Sequence, residues 1–257
     1  MDQMSLRDTF NEDAANYDRW RPRYVPELFQ AVFRYAGEPG LALEMGLGTG
    51  QATEPFLNAG WQVTGVELGK DLAAFAGRKF QGNPGLRLIQ GDFLTCPLEG
   101  PFDLFYSATA FHWLPQERAF PLVKKLLRPG GVVALFWNHP WPEEGDPARC
   151  EVIQSVYEKY QDQEVETYHG ISRKARQEKE ELLRSWGFGQ VESHLFYGVR
   201  QFSPEGYVGL MNTYSGHRAM EEGPRLALEQ DMKEAICKLG GVLYVYDTIE
   251  LYLARKP

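Results

Sequence analysis

Residues 41 to 50, Leu-Ala-Leu-Glu-Met-Gly-Leu-Gly-Thr-Gly, carry a short apolar run straight into three alternating glycines, Gly46, Gly48 and Gly50. No other segment limits the fold as much. Glycine lacks a Cβ and accepts positive φ, so the backbone can turn tightly here and come close to a ligand. The stretch from Gln51 to Asn58 reads as a helix whose first amides face the loop, where unpaired N–H groups favour a bound polar group. A small molecule docked on the loop is the first expectation.

The spacing narrows which molecule. A dinucleotide loop needs G-x-G-x-x-G, or a final Ala, so that a third small residue lets helix and strand pack closely. The position three after Gly48 is Gln51, and the pattern is instead Glu44-x-Gly46-x-Gly48-x-Gly50. This resembles motif I of the class I S-adenosylmethionine-dependent methyltransferases. Four further elements follow in that family's order. Trp61 to Glu67 is a second strand with a carboxylate at its end, and Leu86 to Phe93 is a third that ends in Gly-Asp. Phe102 to Ser107 is a fourth, running into Ala108-Thr-Ala-Phe-His-Trp113. Leu127 to Trp137, with Pro129 and paired glycines, looks like the family's turn into strand five. Beyond this half, Phe10 to Tyr24, Thr213 to Arg218, Gly240-Gly241 and Glu250 to Arg255 are similar to the terminal parts of a bacterial small-molecule branch of these enzymes.

The resemblance implies S-adenosyl-L-methionine as cofactor and S-adenosyl-L-homocysteine as product. It gives the glycine loop, with Glu44, Gly46, Gly48 and Gly50, to the cofactor. It gives Glu67 to the ribose hydroxyls, with Leu68 beside it, and Asp92 to the adenine amino group, with Phe93 packed beside the ring. Ala108, at the end of strand four, completes the cofactor contacts. An acid at the end of a second strand is also placed by sheet geometry to accept from both ribose hydroxyls. As alternatives, Glu67 and Asp92 can cap helices that follow them, and the glycines can be a mere turn.

Net charge is −8, which argues against a broad nucleic-acid surface, because such binding neutralises phosphates with Lys and Arg. The densest basic run, Arg173-Lys-Ala-Arg176, reads as the solvated face of a charged helix. No apolar leader follows Met1, and no run of about 18 apolar residues exists to span a bilayer, so the expected place is the cytoplasm with no membrane partner. Cys96, Cys150 and Cys237 lack C-x-x-C spacing, and the five histidines show no H-x-x-x-H pair. Neither a disulfide framework nor a metal site is indicated.

Strands and helices alternate from about Leu28 to Trp137, which predicts a parallel sheet with helices on both faces. With Gln190 to Val199 and Val242 to Ala254 as later strands, the expected fold is α/β. It is a Rossmann-like, seven-stranded, mostly parallel sheet carrying a helical lid, all in one methyltransferase domain over residues 1–257. The core is expected at about 25–138, 186–199 and 242–257, and the lid at about 1–24, 139–170 and 200–240. Residues His139 to Pro147 read as a proline-rich loop, and helices are expected over Cys150 to Tyr160, Lys174 to Ser185 and Pro224 to Leu239. Ser203 and Pro204 signal a helix start.

The sulfonium already activates its methyl group, so alignment of an acceptor and exclusion of water matter more than a strong base. If the acceptor must lose a proton, His112 is the candidate base, since it follows strand four and titrates near neutrality. The acceptor pocket is expected to draw on Tyr17, Trp113, Tyr207, Met211, Tyr214 and His217. Tyr207, Met211 and Tyr214 lie at i, i+4 and i+7 and would share one helix face, as pocket lining or as helix core. Likewise the Phe-His-Trp run can simply pack, and Trp20, Arg21 and Tyr24 can brace the N-terminal segment. Strand four is followed by Ser107-Ala-Thr-Ala-Phe111 where related nucleobase and glutamine N-methyltransferases often hold an Asn/Asp-Pro-Pro-aromatic tetrad, which disfavours those acceptors and leaves oxygen, nitrogen, carbon and sulfur acceptors in metabolites open. Two other classes stay in view: a cofactor-binding regulator or assembly factor without transferase activity, and a nicotinamide oxidoreductase.

Overall fold

The computed structural model describes residues 13–160 and 170–257. Seven strands form one sheet. In chain order they are β1 (Leu41–Met45), β2 (Gln62–Glu67), β3 (Leu86–Gln90), β4 (Phe102–Ala108), β5 (Leu127–Pro142), β6 (Gly189–Phe202) and β7 (Leu243–Arg255). Their spatial order is β3-β2-β1-β4-β5-β7-β6. The strands from β3 through β5 pair in parallel. β7 runs against β5, since Lys256 N donates to Gly131 O while Glu143 N donates to Tyr244 O. The sheet is thus mostly parallel, as expected.

The helices are α1 (Ala14–Trp20), α2 (Pro26–Ala36), α3 (Thr53–Asn58), α4 (Lys70–Lys79), α5 (Gln116–Leu126), α6 (Pro147–Glu158), α7 (Arg173–Ser185), α8 (Pro204–Met211), α9 (Ser215–Arg218) and α10 (Glu222–Lys238). No helix among the described residues is long and apolar enough to cross a membrane. None of the described His, Cys, Asp and Glu residues form a group of three or more that could hold a metal ion.

Backbone contacts divide the chain into two units. One comprises Pro22–Asn138, Ile171–Phe196 and Ile249–Pro257. Its central strands β1, β4 and β5 are buried on both sides, and successive residues alternate between two cores, because side chains on a strand repeat with period two. Ala42, Leu104, Tyr106, Val132, Ala134 and Phe136 face a cluster with Leu28, Phe29 and Val32 of α2 and Phe56 of α3. Leu43, Phe105, Val133 and Leu135 face the other, with Phe120, Val123 and Leu126 of α5 and Leu183 of α7. Helices on both faces of the sheet follow directly from that alternation.

The other unit comprises the described residues up to Arg21, those within His139–Gly170, and Tyr197–Thr248. It has its own core, built from Ile153, Val156, Tyr207, Leu210, Met211, Leu228, Met232 and Ile236. Capping shapes its helices: Asp146 accepts from Ala148 N and Arg149 N ahead of Pro147, and Ser203 accepts from Gly206 N ahead of Pro204. Gly209 is required in α8, because a Cβ there would lie 2.3 Å from the Trp20 indole nitrogen. Of the expected lid segments, residues 1–12 and 161–169 lie outside the described residues.

Three local readings are corrected. The helix after the glycine loop begins at Thr53 and not at Gln51, since Gly50, at φ +89°, still belongs to the turn. The expected loop over His139 to Pro147 is strand as far as Pro142. The reason is parity. Past Gly131, even-numbered residues of β5 face β4, whose pairing stops at Phe136, whereas Glu143 N, of odd parity, bonds to β7. Pro140 and Pro142 thus withhold their missing N–H groups from a side with no ladder left to serve. Finally, α8 ends at Met211, so Tyr214 falls past the helix and cannot continue its face.

Candidate functional site

The strand order reverses at β1, which has β2 on one side and β4 on the other. Crossovers that leave in opposite directions open a crevice at the carboxyl ends of such strands. Gly46, Gly48 and Gly50 stand at that end of β1 with left-handed φ of +74°, +62° and +89°. A Cβ on Gly46 would lie 2.4 Å from the Cβ of Ala110, in the loop after β4. The two loops therefore meet only because residue 46 has no side chain.

Glu67 closes the other side of the glycine loop. Its carboxylate is buried at the end of β2, where Oε2 accepts from Gly48 N and Oε1 from Gly69 N, each at 2.7 Å. Gly69 is the residue before α4, so the bond ties strand to helix without being an N-cap of the usual kind. Each carboxylate oxygen has two lone-pair sites, and one on each is used by these amides. The arrangement holds a fixed anion beside a turn of backbone N–H groups.

Glu44 is buried to 1% exposure. Its Oε2 accepts from Thr53 Oγ1 at 2.6 Å and from Tyr106 O–H at 2.9 Å, which tethers α3 and β4 to β1. Its Oε1 is buried with no hydrogen-bond partner. Burial pushes the carboxyl up to about 8, against the opposing pull of those two donors, and the nearby Glu67 charge adds to the rise. A polar ligand group or a bridging water at the glycine loop would satisfy the orphaned oxygen.

Asp92 follows β3, and its Oδ1 accepts from Leu94 N at 2.8 Å. No helix follows, so the capping alternative fails and the side chain closes a turn instead. Leu68 is half-buried and accepts through its carbonyl from Gln90 Nε2 at 2.9 Å. Phe93 is corrected: its ring is only 3% exposed, packed 5.7 Å from Phe105 in the core. The turn at Asp92 swings the ring inward, so it has no face left for a purine. Ala108 is the last residue of β4, paired with Phe136.

His112 and Trp113 sit on a single 3-10 turn after β4, with ring centroids 4.9 Å apart. His112 is exposed, and its Nδ1 accepts from Trp137 Nε1 at 3.0 Å. Three residues that sequence reasoning did not single out for chemistry also belong here. Thr109 has a left-handed φ of +53°, Trp137 holds His112, and Lys179 lies over the Trp137 ring. A Phe-His-Trp run marks the turn in the sequence, but nothing in it signals partners supplied by β5 and α7.

The remaining pocket candidates lie in the other unit, where four of them come together. The Arg21 guanidinium is 5.0 Å from the Tyr17 ring and 4.8 Å from the Tyr214 ring, and it donates to Thr213 O at 2.7 Å. His217 is 5.9 Å from Tyr214 and 5.8 Å from Tyr157. The Tyr157 and Tyr207 hydroxyls are 3.0 Å apart. Burial pushes His217 down to about 4, so its ring is neutral at physiological pH, and Nε2 is buried without a partner. Tyr207 and Met211 are core residues, 4% and 0% exposed. Met211 therefore packs rather than presents a surface.

Residues 43–135 match the family model described as a methyltransferase domain. An uncharacterized methyltransferase of Schizosaccharomyces pombe is 26% identical over 234 residues, covering 87% of this chain and 86% of its own. Among solved structures, a proposed type II methyltransferase from Anaeromyxobacter dehalogenans superposes with a TM-score of 0.64 at 20% identity, over 91% of this chain and 97% of that one. Phosphoethanolamine N-methyltransferase 2 of Haemonchus contortus, in complex with phosphomonomethylethanolamine and S-adenosylhomocysteine, matches with a TM-score of 0.55 at 16% identity, over 98% of this chain and 60% of that one. The two structures are likenesses of fold.

Proposed function

The chain is a class I S-adenosylmethionine-dependent methyltransferase, and we propose that its methyl acceptor is a small molecule. The bound cofactor supplies a methyl group activated by the sulfonium. The protein's part is to hold, align and keep water out. In this reading Glu67 takes the ribose hydroxyls while its two amide bonds hold the carboxylate in place, the glycine loop gives backbone N–H groups to the methionine end, and Glu44 Oε1 gains the polar partner it lacks. Asp92 and Leu68 border the adenine, which touches the backbone near residue 93 and not the buried ring.

One observation carries the cofactor assignment: a buried carboxylate fixed by two amides at the switch point of the sheet. The acceptor assignment rests on charge, since −8 repels a polyanion. A fold neighbour spanning 98% of this chain is a complex with a phosphorylated small amine, which supports the same class. The cytoplasmic setting is supported by three free cysteines.

Calorimetric titration of S-adenosylhomocysteine into the wild type and a folded Glu67→Ala variant tests the first half. Loss of charge-assisted bonds worth about 1.5–3 kcal/mol each weakens binding by roughly 10- to 100-fold or more, and equal affinity would refute the assignment. For the second half, methyl-labelled cofactor is incubated with the enzyme and a size-fractionated extract. Label in the small-molecule fraction is expected. Label confined to RNA or protein overturns the acceptor class.

A further inference from the structure

The chain leaves the sheet at Thr109. β4 pairs with β5 as far as Ala108, and the Ser107 hydroxyl donates to Met45 O at 2.9 Å, next to Gly46. Thr109 N still donates to Phe136 O at 2.8 Å, but its φ of +53° then turns the backbone away. The turn leads into Ala110, whose Cβ would lie 2.4 Å from one added to Gly46. On its other side the glycine turn is held by Val66 O, which accepts from Gly46 N at 2.9 Å and Leu47 N at 3.2 Å. One wall of the glycine turn therefore depends on the backbone angle at Thr109.

A left-handed φ is disfavoured for a β-branched residue by about 5- to 150-fold. Glycine or asparagine usually occupies such a place. What threonine adds is a hydroxyl, with one proton and two acceptor sites, and two groups engage it. Asn138 N donates to Oγ1 at 3.2 Å, and the Tyr24 hydroxyl lies 2.8 Å from it. Tyr24 is itself fixed just ahead of α2, where its ring meets Phe136 edge-on at 4.8 Å and Phe29 at 6.4 Å. Each net hydrogen bond shifts an equilibrium by about 2- to 12-fold, so two such bonds are of the size needed to hold the strained angle.

We propose that Thr109 is a positioning residue for cofactor binding. Its hydroxyl, held between Tyr24 and Asn138, keeps the loop after β4 in the left-handed turn that seats Ala110 on Gly46, so the glycine turn is formed before the cofactor arrives. This rests on the reading of the glycine turn as the cofactor site. A protein whose competent geometry is only partly populated binds with an affinity reduced by that fraction, and the hydroxyl holds the fraction near its maximum. Strain at residue 109 is the cost of fixing the wall in one place.

The test separates the angle from the hydroxyl. Thr109→Val keeps the β-branch and loses both bonds, so S-adenosylhomocysteine should bind about 5- to 150-fold more weakly in calorimetric titration. Thr109→Gly also lacks the hydroxyl but adopts positive φ freely, and should bind better than Thr109→Val. A residue that served packing alone would give the opposite order, since glycine leaves a gap and a looser chain. Thr109→Ser keeps the hydroxyl and should recover most of the affinity. Tyr24→Phe should weaken binding by about 2- to 12-fold and add nothing to Thr109→Val, because both act through one oxygen. Wild-type affinity in Thr109→Val, weaker binding by Thr109→Gly than by Thr109→Val, or additive losses in the double variant overturns the proposal. Amide hydrogen exchange of residues 46–50 in the ligand-free proteins is expected to be fastest in Thr109→Val and slowest in the wild type and Thr109→Ser. If the wild type binds no S-adenosylhomocysteine, the cofactor reading fails, while equal exchange in the wild type and Thr109→Val is what overturns the positioning role. If Thr109→Val does not fold, unchanged affinity and exchange in Tyr24→Phe overturn it.

Discussion

Replacing Glu44 with glutamine isolates the cost of ionising one buried carboxyl. Burial lifts its pKa from 4.5 to about 8, so above about pH 4.5 the folded chain holds a proton that the unfolded chain has released. Stability then falls with rising pH, because the native state binds more protons than the unfolded one. The contribution is complete below the unfolded pKa and is lost as pH rises through the folded one. Integrating both titrations gives a loss of about 0.8 kcal/mol at pH 5 and about 3 kcal/mol at pH 7. In Glu44→Gln the side-chain carbonyl accepts from Thr53 and Tyr106 as before, and the amide nitrogen takes the place of the partnerless Oε1, so the effect of the substitution itself is a constant offset. Between pH 5 and 7 the wild type should lose about 2.5 kcal/mol that Glu44→Gln keeps. With an unfolding entropy of about 2.1 cal/mol/K per residue over 257 residues, that is roughly 5 °C in Tm. Calorimetric melts of both ligand-free proteins at the two pH values measure it. Parallel pH profiles would show that Glu44 ionises normally and that the orphaned oxygen is solvated.

Two further perturbations follow from the packing. Gly46→Ala carries a left-handed φ penalty of about 1–2 kcal/mol, with a methyl set 2.4 Å from Ala110 Cβ in addition. Ala110→Gly in the same chain removes the clash but not the φ penalty, so denaturant titration should show partial rescue, whereas strict additivity would mean that the two residues do not meet. Arg149 donates to both oxygens of the buried Glu143 and to the carbonyls of Leu239 and Val242. Arg149→Ala leaves that carboxylate unpaired and should cost about 3–5 kcal/mol in equilibrium unfolding. Arg149→Lys cannot reproduce the planar fork and should recover little. A loss below about 1 kcal/mol for Arg149→Ala would show that Glu143 is not buried as an ion.

The parallel sheet is legible in the alternation over residues 28 to 137, and the glycine turn and the acid at residue 67 in residues 41 to 67 alone. They rest on local properties: the φ freedom of Gly46, Gly48 and Gly50, and a run of apolar residues too short for a buried helix and ended by glycine. Family spacing adds the cofactor. Legibility stops where an outcome depends on a neighbour distant in the chain. Phe93 reads as a ring open to a purine beside an acid, yet the turn closed by Asp92 puts it on Phe105. Pro140 and Pro142 read as loop residues, yet β5 continues because β7, more than a hundred residues later, supplies the ladder. Tyr207, Met211 and Tyr214 share a helical period, yet the helix ends before the third. The chemistry of single groups is the furthest from the sequence. A glutamate holds its proton at neutrality because the core encloses it, against the pull of its donors Thr53 and Tyr106, and His112 Nδ1 finds its donor in an indole 25 residues away. Backbone preference belongs to each residue and its immediate neighbours, whereas protonation and tautomer answer to the field and the donors that folding assembles around it.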